Sequence, residues 1–137
     1  MSYEITYIKT EGGVITKYFD IVTDSDIMKS MKERFSSDDK VSSYRYVITD
    51  CSNVERFEVS PEVMRESAKI SKKVAIINKN IVVVAIMPTD LQFGMGRMWQ
   101  AYAYETGWNT EIVRTSKEAE DWLRIKLDRN LTFRNPE

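Results

Sequence analysis

The sequence predicts an α/β fold: a mixed, mainly parallel sheet flanked by helices, in the element order β-β-α-β-α-β-α-β-α. Three observations predict it. Ile81 to Met87 is a near-continuous, β-branched apolar run, the pattern of a strand buried on both faces. Runs of strand character alternate with runs of helical period from there to Leu127, and such alternation implies parallel strands joined by right-handed crossovers. Helix-start signals punctuate the alternation at Ser60-Pro61-Glu62, at Thr89 with Gln92 and at Thr115 with Glu118.

Taken in order, Tyr3 to Ile8 alternates loosely, with Tyr3, Ile5 and Tyr7 on one face. Glu11-Gly12-Gly13 supplies turn chemistry, and Val14 to Phe19 returns as the second strand of a hairpin. Thr23 with Asp26 caps a helix from Asp24 to Phe35, in which Ile27, Met28, Met31 and Phe35 recur at helical spacing. Ser36 to Ser43 is polar and reads as a surface loop. Tyr44 to Thr49 reads as a strand ending at Asp50, and Asp50 to Val59 as a connecting segment. A helix follows from Ser60 to about Ile76, broken by Asn78-Lys79-Asn80. After the Ile81–Met87 strand, Leu91, Met95, Met98, Trp99 and Tyr102 mark one face of a helix that Gly107 ends. Glu111 to Arg114 is a short strand. Ala119, Trp122, Leu123 and Leu127 stripe the last helix.

The 137 residues fit a single domain spanning 1–137, with 128–137 as a C-terminal tail. Hydrophobic residues at 42% and charged residues at 30% place the chain among globular rather than disordered sequences. A net charge of −1 offers no basic field for nucleic acid. The longest apolar run is far short of the roughly 20 residues of a membrane helix. Met1 to Lys9 has no signal pattern, and the single cysteine, Cys51, excludes an internal disulfide. A cytoplasmic protein is expected. There is no histidine, which removes His-based triads, His-ligated zinc and the usual base near neutral pH. No nucleophile–base pair can be assembled from the sequence, so a non-enzymatic protein is expected, with no catalytic residue, metal or cofactor.

Two stretches carry a family resemblance. The first is Asp50-Cys51-Ser52-Asn53-Val54, followed by Phe57 and Ser60. The second is Phe93-Gly94-Met95-Gly96-Arg97-Met98-Trp99, followed by Glu118-Ala119 and Trp122-Leu123. With the element order, the first resembles the SpoIIAA-like proteins, which share the STAS fold of bacterial anti-sigma-factor antagonists. There a strand ends in Asp-Leu-Ser and a Ser starts the next helix. The second is similar to a branch of small STAS/SEC14-type proteins, in which a Gly-x-x-Arg-Met-aromatic helix precedes a Glu-Ala-x-x-Trp-Leu helix. The resemblance implies a STAS fold over nearly the whole chain and a regulatory, protein-binding role. It also implies that Ser60 stands where antagonists carry their regulated serine. The Asp-Ser-Ser-Gly context of that serine is absent, since Glu58-Val59-Ser60-Pro61-Glu62 stands there. The usual phospho-switch is therefore not expected.

The candidate site residues follow. Ser60, Asp50 and Ser52 are candidates for phosphate acceptance or partner contact; a plain N-cap is the simpler reading of Ser60, and a turn cap that of Asp50. Gly94 and Gly96 are not a dinucleotide fingerprint, because Trp99 occupies the third glycine's position. Close packing of their helix is the simpler reading. Arg97 lies off the apolar stripe, suited to an anionic group or an interface. Trp99, Tyr102 and Tyr104 exceed what one helical face buries and suggest a homodimer surface. Met28, Met31, Met64, Met87, Met95 and Met98 either fill core or line an adaptable pocket for a small apolar or lipid-like ligand between sheet and helices. Cys51 has no cationic neighbour to activate it. Asp24 and Asp26 do not make a metal site. The expected partner is thus a protein or a small apolar ligand.

Overall fold

The computed structural model describes residues 2–127; the tail expected over 128–137 lies outside them. The elements are β1 (Tyr3–Ile8), β2 (Gly13–Thr23), α1 (Asp24–Arg34), α2 (Asp38–Ser43), β3 (Tyr46–Glu58), α3 (Pro61–Ile77), β4 (Val82–Ile86), α4 (Asp90–Tyr102), β5 (Asn109–Val113) and α5 (Ser116–Leu127). They build one five-stranded sheet in the order β1-β2-β3-β4-β5. β1 runs antiparallel to β2, and every later pair is parallel.

That strand order decides where the helices go. Right-handed crossovers between strands laid down in one direction put every connecting helix on the same face. Accordingly α1, α3 and α4 share one face with α2. The last helix, α5, connects no strands and covers the other face. Strand side chains alternate between the two. Tyr46, Ile48, Val82, Val84 and Ile86 meet Ala119 and Leu123 of α5. Val47, Cys51, Val83 and Ala85 meet the opposite layer.

Several expectations are corrected. Ser36–Ser43 is not a loop: Ser37 caps α2, and Val41 is buried. A single apolar residue at one turn of helix is too little period to read from sequence. β2 runs on to Thr23, and the segment from Asp50 is strand to Glu58. These extensions pair with each other, Phe19 with Asn53 and Thr23 with Glu58, past register shifts at Lys17/Phe19 and Asp20/Ile21. Asp20 accommodates the irregularity at φ 57, a conformation that Asp tolerates better than bulkier residues. Leu91, placed on the inner face of α4, is 61% exposed, and Gln92 is buried instead. The turn after β1 is a 3-10 turn, and Gly12 closes it at φ 65.

Candidate functional site

Three features of the α1–α4 face concentrate chemistry. The first is an arm. The β3–β4 ladder ends at Asp50 opposite Ile86, while β3 continues to Glu58 with β2 as its one strand neighbour among the described residues. Ser52, Asn53, Glu55, Arg56 and Glu58 are exposed along it, and Val54 and Phe57 pack down onto the core. Asp50 is therefore not at the end of its strand, as its sequence suggested, but at the point where the sheet narrows from five strands to two. Its Oδ1 accepts the Ser52 N–H at 2.9 Å, the turn-capping role weighed from sequence.

The second feature is the junction where the arm meets α3. Ser60 is the N-cap: its Oγ accepts the Val63 N–H at 3.2 Å. The same hydroxyl donates to Asp24 Oδ2 at 2.6 Å, and the Ser60 N–H donates to Asp24 Oδ1 at 2.7 Å. Thr23 and Asp26 already satisfy the start of α1 as a capping box, which leaves Asp24 free to reach across. One carboxylate thus sits between two helix N-termini, where both dipoles favour it. Sequence reasoning missed Asp24 because its partner lies 36 residues away. The available signal was an acidic residue in the first turn of α1, which has a local explanation.

The third feature is a cavity of about 70 Å³ between the sheet and α1, α3 and α4. Met31, Met64 and Met87 line it, while Met95 fills core and Met28 and Met98 are half-buried against the same core cluster. Gly96 also lines it, since a Cβ there would fall 2.5 Å from Met87 Sδ and 3.1 Å from Ile112 Cγ2. Gly94 has nothing within 4 Å. One glycine permits close packing and the other does not need to. Arg34 joins the lining although it is charged. Sequence reasoning missed it too, though it extends the Ile27, Ser30, Met31 spacing by one turn and so belongs to the buried stripe of α1.

The remaining candidates are dispersed. Trp99 lines the cavity, Tyr102 is half-buried beneath the Arg65 guanidinium 5.1 Å from its ring, and Tyr104 alone of the three is open to solvent, at 85%. Arg97 is exposed beside Gln100 and Glu105, with no ion pair among the described residues. Cys51 is buried, and burial, reinforced by the Asp50 charge, pushes its thiol up to about 12, so it is no nucleophile at neutral pH.

No protein-family model matches the sequence, and no curated protein matches it. Two solved structures share its architecture. The anti-sigma factor antagonist SpoIIAA in its unphosphorylated form superposes with a TM-score of 0.57 at 9% identity, covering 89% of this chain and 97% of that one. The Bacillus cell fate determinant SpoIIAA in the phosphorylated form gives a TM-score of 0.53 at 13% identity, covering 89% and 99%. The chain has the SpoIIAA-like STAS fold.

Proposed function

We propose that this chain is a non-enzymatic regulatory module that binds a protein partner through the 50–60 segment and the start of α3. The observation that carries this reading is the β2–β3 arm. Beyond Asp50, β3 has no strand on its β4 side among the described residues, and an open strand edge is a ready template for another chain. Charged side chains at Glu55, Arg56 and Glu58 suit a selective edge rather than a sticky one. A structural neighbour is an anti-sigma factor antagonist, a protein-directed role, and this supports the same class of activity here. The non-enzymatic part is supported by the buried, protonated thiol of Cys51 and by the commitment of the Ser60 hydroxyl to a helix cap.

The module works without the phospho-switch. The Ser60 hydroxyl has both a donor and an acceptor role filled, and a phosphate on it would set close to two negative charges beside the Asp24 carboxylate. Photo-crosslinking tests the arm. A photoreactive residue at Arg56, compared with one at Lys117 on α5, should yield a discrete covalent adduct with one cellular protein from the arm alone. Equal labelling at both positions, or none at Arg56, removes this reading.

A specific observation favours a second reading, the binding of a small apolar ligand between sheet and helices. The cavity is walled mainly by apolar side chains, and three methionines give it adaptable walls.

A further inference from the structure

Three charged side chains are buried among the described residues: Glu11, Arg34 and Glu120. Glu11 accepts the Tyr46 hydroxyl at 2.7 Å, and Glu120 pairs with Arg124. Arg34 differs. It is 7% exposed, and no carboxylate lies within 4.0 Å of its guanidinium among the described residues. Its Nη1 donates to the Thr16 and Tyr18 hydroxyls at 3.3 Å and to Ser30 Oγ at 3.5 Å, three neutral acceptors at the long end of hydrogen bonding. Its Nε is buried with no partner among the described residues. The Phe35 ring at 5.1 Å and the C-terminal end of α1 ease the charge but do not pair it. A buried charge without a counter-charge is strongly unfavourable, so such a group is retained where something else pairs it.

Arg34 also lines the cavity. We propose that the cavity binds a small apolar monocarboxylate, its carboxylate held by Arg34 and its hydrocarbon end against the methionine wall. This rests on the second reading above and specifies its chemistry. The planar guanidinium fork matches a carboxylate, and one cation with only neutral hydroxyls around it neutralises one negative charge, not the two of a phosphate monoester. Ser67 Oγ, also in the lining, makes no hydrogen bond among the described residues and is a second donor for the same head. Size bounds the tail. A dry engineered cavity of about 150 Å³ takes up benzene, and this cavity is about 70 Å³, so the ligand is a short acid rather than a long fatty acid.

The test uses the native reporters. Trp99 and Trp108 line the cavity, whereas Trp122 packs on the α5 face. The full chain is titrated with sodium acetate, propionate, butyrate and hexanoate, and separately with 1-propanol, at constant ionic strength. Tryptophan fluorescence and amide chemical shifts are followed. The expected result is saturable binding of acetate or propionate, at least about tenfold tighter than of 1-propanol. Arg34→Met should abolish that preference while the alcohol still binds. Ala85→Leu, which fills the cavity from the sheet, should remove both. If Arg34→Met does not fold, the acid-against-alcohol comparison on the unaltered chain decides. Equal affinity for acid and alcohol overturns the role of Arg34 but leaves an apolar pocket. No binding of either means that water alone occupies the cavity, and both readings fail. Hexanoate binding tighter than propionate overturns the size limit.

Discussion

The two faces of the sheet are built differently. On the α5 face, Ile8, Ile15, Ile48, Val84, Ile86 and Leu123 interdigitate, and the two buried carboxylates there are partnered, Glu11 by the Tyr46 hydroxyl and Glu120 by Arg124. On the α1–α4 face, the same strands meet Arg34, Ser67 and Ser71, with three methionines, a helix glycine and a cavity among them. Ser60 and Asp24 close that layer at one end. A sheet this small could be sealed equally well on both sides. The α1–α4 side thus differs in keeping free volume and a buried cation without a carboxylate beside it, both of which lower stability.

The comparison can be broken by substitution, and the largest effect should come from the sealed face. Leu123→Ala removes a fully buried side chain and should lower the unfolding free energy by about 2–5 kcal/mol in denaturant titration. Acid binding should be unaffected in the fraction that folds. A loss of less than about 1 kcal/mol would mean that α5 is not the seal described here.

Next is the junction. Ser60→Ala removes a cap and a bond to Asp24, and thermal unfolding should report a loss of about 1–2 kcal/mol. Asp24→Asn keeps its shape but weakens both contacts, and should cost less. If Ser60→Glu is as stable as the parent, repulsion by Asp24 is negligible and the argument against a phospho-switch fails.

A smaller effect with opposite signs is expected within α4. Gly96→Ala crowds Met87 and Ile112, an overpacking of about 1–3 kcal/mol only partly offset by the helix preference for Ala, so it should destabilise. Gly94→Ala meets open space and should stabilise by about 0.5–1 kcal/mol. Should both move the same way, Gly96 is not at a close approach of helix to sheet.

The last effect is absent at neutral pH and appears only under alkaline conditions. The Cys51 thiol is raised from 9.0 to about 12 by burial, so the folded state holds a proton that the unfolded state has lost. Its contribution is fully present below pH 9 and is lost as pH rises through about 12. Unfolding followed from pH 8 upward should show a decline that Cys51→Val makes shallower. A thiol reagent at pH 8 should react only on unfolding.

The legible and illegible parts of this molecule separate by range. Thr89 with Gln92 starts α4 as its capping box announced, and Ser60-Pro61 starts α3, because a cap is satisfied within three residues. The Ile81–Met87 run is a central strand because its composition leaves no exposed face. The arm was not legible. Ser52, Asn53, Glu55 and Arg56 have little strand character, and they are strand because β2 pairs with them.

From the sequence alone came the order of strands and helices, α2 excepted, and the three downstream helix starts, all coded by neighbours. It also determined that no histidine chemistry is available. Tertiary structure alone decided that β3 outruns β4, that Asp24 grips Ser60, and that Arg34 is drawn inside without a counter-ion. The physical reason is the same in each case. Strand pairing, a hydrogen bond across 36 residues and the burial of a charge depend on what the folded chain brings alongside, and no local pattern encodes that.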